Sequence, residues 1–121
     1  MSWTTKIKYT RPNTGVEFYV DHVAYPEFRA TEDTSLAVSD QDHITAAKAF
    51  ATNYTNIGKI VSSSQTLSTN ELELTKAFVY DNETSKDAFV NDSEVQAWFF
   101  ARNSYNATNG ISKDILQNEA T

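Results

Sequence analysis

Glu71–Asn109 reads ELELTKAFVYDNETSKDAFVNDSEVQAWFFARNSYNATN, and its patterning gives a strand followed by two helices. Over Glu71–Tyr80 the residues alternate. Leu72, Leu74, Phe78 and Tyr80 point one way; Glu71, Glu73, Thr75, Ala77 and Val79 point the other. Successive side chains of a strand leave on opposite faces, so one face of this strand meets a core. Asp81–Ser85 restarts the chain as a helix, with Thr84 or Ser85 as its expected cap, and Lys86–Asn91 forms a short helix. Asp92-Ser93 has the chemistry of a second N-cap. A longer helix follows over Glu94–Asn109, and Gly110 ends it, as a residue free to adopt a left-handed conformation does.

Working outward, Lys59–Thr66 is a polar strand joined to this one by a turn at Leu67–Asn70. Before it, Ile44, Ala47, Phe50, Ala51 and Tyr54 recur at helical spacing. That helix starts from a cap at Ser39 or Asp40 and ends near Asn56, with Gly58 beside its C-terminus. At the start of the chain Trp3, Thr5, Ile7 and Tyr9 alternate with Thr4, Lys6, Lys8 and Thr10, the mark of a half-buried strand. Turn residues at Arg11–Gly15 break it, and Val16–Val20 is extended. Residues 21–40 have no period and read as a long irregular connection. The expected fold is α+β: a ferredoxin-like split βαβ, with two main helices on one face of an antiparallel sheet. A single domain over 1–110 and a loosely ordered tail over 111–121 are expected. The fourth strand is open: the tail supplies it, near Ile111 or Ile115-Leu116, or Val16–Val20 takes an edge.

The chain has 121 residues, 40% of them apolar, with seven Phe, six Tyr and two Trp. A chain this long buries roughly two thirds of its unfolded surface, enough for one core without disulfides or a structural metal. No cysteine is present, which removes thiolate metal sites and cysteine nucleophiles. Ten basic residues against sixteen acidic ones give a net charge of −6, a balance that repels nucleic acid and anionic lipid. The cluster Lys6-Ile7-Lys8, with Arg11 nearby, reads as a solvated strand face. No nucleic-acid, membrane or cofactor partner is expected. Met1 is followed by Ser-Trp-Thr-Thr-Lys rather than an apolar signal core, so a cytoplasmic or virion-associated protein is expected, not a secreted one.

The long helix holds the residues of most interest. Val95, Trp98, Phe99 and Arg102 share one face, Tyr105 lies at its margin, and Phe100 falls nearly opposite. Apolar groups on two faces predict two burials. Both Trp98 and Phe100 are therefore expected to be shielded, Phe100 by a second copy of the chain or by the 21–40 loop. Phe100 and Tyr105 are the interface candidates. Arg102, inside the apolar stripe, needs a partner: an anionic ligand, or an acid such as Glu94. Lys76 shares its strand's apolar side and either binds an anion or reaches solvent from a sheet edge. His22 follows Asp21 in a segment lined by Tyr19 and Tyr25, the place to look for a pocket. A ligand pocket is accordingly sought among Tyr19, His22, Lys76, Trp98 and Arg102. His43 falls in the first turn of a helix, and neither histidine has a spacing that demands a metal. The three isolated glycines cannot build a phosphate-binding loop or a nucleophile elbow, and no catalytic residue is named.

The stretch NETSKDAFVNDSEVQAWFFARNSYNATNGI, Asn82–Ile111, resembles the C-terminal helix of small dimeric α+β barrel proteins. In that superfamily ferredoxin-like protomers pair sheet to sheet, and its members include antibiotic-biosynthesis-type monooxygenases and haem-degrading enzymes. None of the monooxygenases' catalytic Asn, His or Trp residues maps onto a position here. The opening strand followed by RPNTGVEFY resembles small proteins of marine tailed phages that infect cyanobacteria. Together these imply a non-enzymatic phage-type accessory or structural protein acting as a homodimer or on a host or virion protein. The alternative is a small-molecule binder or monooxygenase-like enzyme of the dimeric barrel class, and a weaker one is an acidic nucleic-acid mimic.

Overall fold

A computed structural model describes residues 1–19 and 49–121. In chain order the elements are β1 (Trp3–Thr10), a helical segment α1 at residues 49–56, β2 (Ile60–Leu67), β3 (Glu73–Tyr80), α2 (Glu83–Val90), α3 (Ser93–Asn109) and β4 (Ser112–Ala120). The four strands form one sheet in the order β2-β3-β1-β4, and every neighbouring pair is antiparallel. With a helix between β1 and β2 and two more between β3 and β4, this is the expected ferredoxin-like arrangement.

The alternation seen in the sequence sets the register. Trp3, Thr5 and Ile7 face Tyr80, Phe78 and Lys76, and Tyr9 faces Leu74. All of these lie on the side that the helices cover. Thr4, Lys6, Lys8 and Thr10 pair with Val79, Ala77, Thr75 and Glu73 on the open side.

Phe89 of α2 is at the centre of the main core. Its ring centroid lies 5.7 Å from Phe50, 5.9 Å from Tyr54 and from Tyr80, and 6.1 Å from Phe78. Rings at such separations gain attraction beyond their buried area. Val95, Trp98 and Ala101 of α3 complete this cluster with Ile60 of β2. A second, smaller cluster joins Tyr9, Phe18, Leu74 and Ile111 at the far end of the sheet.

Helix entry and exit follow local side-chain chemistry. Asp92 caps α3: its carboxylate accepts from the backbone N–H groups of Glu94 and Val95, both at 3.1 Å. Gly110 closes α3 at φ 71°, donating to the Asn106 carbonyl, a conformation that a β-carbon makes costly. The cap of α2 is Asn82 and not Thr84 or Ser85. Its carboxamide oxygen accepts from the Ser85 N–H at 2.9 Å, which starts the helix earlier than expected.

Three further expectations change. Residues 111–121 are not a loose tail, because 112–120 form β4 against β1. Val16–Val20 supplies no edge strand within the described residues; Phe18 turns inward to the second cluster. The strand expected from Glu71 starts at Glu73. Glu71 takes φ 62°, a left-handed conformation foreign to a strand, and the Asn70 carboxamide accepts from the Leu72 N–H at 3.1 Å. The 21–40 loop lies outside the described residues, as does the start of the helix expected from Ser39 or Asp40.

Arg11 is also not part of a solvated basic face. It is buried; its Nε donates to the Glu71 carbonyl at 2.7 Å and its guanidinium to the Val16 carbonyl at 3.0 Å. The guanidinium lies 4.6 Å from the Phe18 ring centre. It therefore ties the β2–β3 turn to the segment after β1.

Candidate functional site

Between the helices and the sheet lies a cavity of about 140 Å³. Its floor is the covered face of two strands: Thr5, Ile7 and Tyr9 from β1, with Lys76, Phe78 and Tyr80 from β3. Phe89 and Val90 at the end of α2 form one wall. Trp98, Phe99, Arg102 and Asn103 of α3 form the roof, and Lys113 of β4 stands at the rim. The cavity arises because α3 lays a bulky stripe, Trp98–Phe99–Arg102, over a sheet face interrupted by the small Thr5 and the long Lys76.

Two buried cations lie against the indole of Trp98. Lys76 is 8% exposed and its ammonium lies 5.3 Å from the Trp98 ring centre; Arg102 is 6% exposed, at 5.5 Å. Arg102 also lies 5.2 Å from Tyr9 and 4.8 Å from Phe99. Each such contact contributes roughly 0.5–2 kcal/mol, more when desolvated, and offsets part of what burying the charge costs. A solvent-reaching Lys76 at a sheet edge is excluded, since β3 is an interior strand.

Lys113 pairs in register with Tyr9. Partial burial of its side chain, and then the nearby Arg102 charge, hold its pKa below the ordinary lysine value. Burial raises the Tyr80 phenol, which stays neutral well past the ordinary tyrosine range. Trp98, 4% exposed, has its indole N–H buried with no hydrogen-bond partner among the described residues.

Of the pocket residues read from the sequence, Lys76, Trp98 and Arg102 line this cavity. Tyr19 does not. Its ring packs 5.3 Å from Tyr105 in the main core. His22 lies outside the described residues, as does His43. Lys113, Tyr9, Phe99 and Asn103 were not singled out as pocket residues. Tyr9 had a signal, as the fourth member of an alternating strand; Lys113 had none, since it falls in a polar segment with no period.

The interface candidates separate. Phe100 is 74% exposed in the single chain, while Trp98, two residues earlier and roughly 200° round the helix, is enclosed. The Phe100 ring is bare in the single chain, and the covers expected for it, a second copy or the 21–40 loop, are not among the described residues. Tyr105 faces inward: its hydroxyl donates to the Glu17 carbonyl at 2.7 Å and its ring meets Tyr19. It is half-buried and packs against the main core. No group of three His, Asp or Glu side chains that could hold a metal occurs among the described residues.

No protein-family model matches the chain, and no curated protein matches it in sequence. Among solved structures it is similar to the structure of Rv0793 from Mycobacterium tuberculosis, at 10% identity and a TM-score of 0.44, over 96% of this chain and 93% of that one. No helix among the described residues is long and apolar enough to cross a membrane.

Proposed function

We propose that this protein binds a small molecule in the cavity between its sheet and α3. The observation behind this reading is the cavity itself, which sits beside the main aromatic cluster and is lined by both rings and charged groups. Interiors are close-packed, and voids larger than a water molecule are few. A cavity with mostly apolar walls and a few convergent polar groups is the usual form of a ligand site. The reading is one of binding, and no chemical step is assigned to the lining. The test is a thermal-shift panel of one-ring compounds, neutral and charged. At least one raises the midpoint by several degrees at saturating concentration. Val90→Phe, which adds bulk to the wall, removes that shift. A panel with no shift for any compound rejects the reading.

A second reading, action as a homodimer or on a host or virion protein, has Phe100 in its favour. Its ring is 74% exposed on the side of α3 away from the core. The phage-type accessory role is supported only by the resemblance at RPNTGVEFY. Light scattering of the intact chain and of Phe100→Ser tests the dimer. A dimer that the substitution splits supports it, and a monomer in both counts against it.

A further inference from the structure

The two tryptophans differ in what their N–H groups meet. The Trp3 indole donates to the Asn118 side chain at 2.8 Å. The Trp98 N–H is buried and has no hydrogen-bond partner among the described residues, on a side chain that is 4% exposed. Burial takes water away from a donor, and a donor left unmet keeps its whole desolvation cost. The groups packed against this indole do not meet it. Lys76, Arg102 and Phe99 lie 5.3, 5.5 and 5.8 Å from its ring centre. The two cations only donate hydrogen bonds, and a phenyl ring has no lone pair. Lys76 and Arg102 also engage other groups of the protein, so neither stands open as an anion site.

Trp98 lines the cavity, whose walls include the rings of Phe78, Phe89 and Phe99. Its volume, about 140 Å³, is close to the roughly 150 Å³ of an apolar cavity that takes up one benzene ring. An unmet donor in the wall of such a space is a specificity element. A site built to hydrogen-bond its ligand rejects the isostere that lacks the matching group, because the site's own polar atom is then left unpaired.

We propose that the ligand is an uncharged one-ring aromatic compound with a hydrogen-bond acceptor on or in its ring, and that this acceptor takes the Trp98 indole N–H. The aromatic walls hold the ring, and the single donor sets its orientation. The ligand carries no charge because the buried cations beside Trp98 are already engaged within the protein. This inference rests on the small-molecule reading above.

The test titrates the intact chain with pyridine, its isostere benzene, and benzoate, at a pH where pyridine is uncharged, while NMR follows the two indole N–H signals. Pyridine moves the Trp98 signal downfield and leaves that of Trp3, already bonded to Asn118, in place. Benzene binds without the downfield shift. In Trp98→Phe, which keeps an aromatic ring and loses the donor, the affinity of pyridine relative to benzene falls roughly tenfold, the worth of one hydrogen bond. If that variant does not fold, the spectra of the unsubstituted chain decide. Pyridine that binds with the Trp98 signal unmoved, or with its affinity relative to benzene unchanged in Trp98→Phe, overturns the hydrogen bond and leaves the small-molecule reading standing. Benzoate binding tighter than pyridine overturns the uncharged ligand. No binding by any of the three overturns both readings.

Discussion

On the covered face of the sheet, β1 and β3 set Trp3, Thr5, Ile7 and Tyr9 against Tyr80, Phe78, Lys76 and Leu74; on the open face the same two strands set Thr4, Lys6, Lys8 and Thr10 against Val79, Ala77, Thr75 and Glu73. One backbone ladder carries both rows. The covered row buries aromatic rings under three helical segments, and the open row presents hydroxyls and charges, with Lys8 and Glu73 in a 3.2 Å ion pair. Stability is therefore expected to reside on one side. The only charged side chain of the covered row, Lys76, lies at the cavity.

The largest effect comes from the centre of the covered face. Phe89→Ala removes a ring in contact with four others and destabilises by roughly 3–5 kcal/mol in denaturant unfolding. A cost under about 1 kcal/mol would mean the aromatic cluster does not hold the fold. Next is the response to alkaline pH. The Tyr80 phenol resists ionisation when folded, whereas in the unfolded chain it ionises near its ordinary value of about 10. The unfolded state then releases a proton that the folded state keeps, so the contribution is full below about pH 10 and is lost as pH rises further. Tyr80→Phe flattens that loss in a pH series of unfolding midpoints. A smaller effect is expected at the entry of α3, the helix that roofs the cavity. Asp92→Ala removes the acceptor for two N–H groups and costs about 1 kcal/mol. The open face gives the smallest change. Lys8→Ala breaks an ion pair whose side chains are about a third exposed, and the loss stays within roughly 0–1 kcal/mol and fades in high salt. A larger loss there would erase the contrast between the faces.

The sequence carries that contrast where both faces differ in polarity. β1 and β3 are half-buried interior strands, so their alternation is visible and their register follows. β4 is legible only as one of two candidates for the fourth strand, for the same physical reason. As an edge strand with most residues exposed, SKDILQNEA needs no apolar row. Its pairing with β1 shifts between Lys6 and Ile7, which sets Ile115 opposite Ile7 and leaves Leu116 out of the ladder. A two-residue period cannot survive that. Its place is fixed by the backbone ladder and by contacts such as the Trp3 indole N–H donating to the Asn118 side chain at 2.8 Å. The site was half legible. Lys76, Trp98 and Arg102 are conspicuous as polar or bulky groups in apolar rows, whereas Lys113 joins them only through the β4 pairing. Arg11 was hidden because its partners are main-chain carbonyls, which no side-chain pattern records.

The first strand of the sheet lies in its interior, with Trp3 opposite Tyr80 on one side and Ala120 on the other. During synthesis, Trp3, Ile7 and Tyr9 leave the ribosome long before either neighbour exists to cover them. Long-range pairing of this kind slows folding relative to helical domains of similar size, and an uncovered greasy strand is what holding chaperones bind and what seeds misassembly. Translation speed and chaperone supply should therefore govern the yield of this protein more than its final stability does.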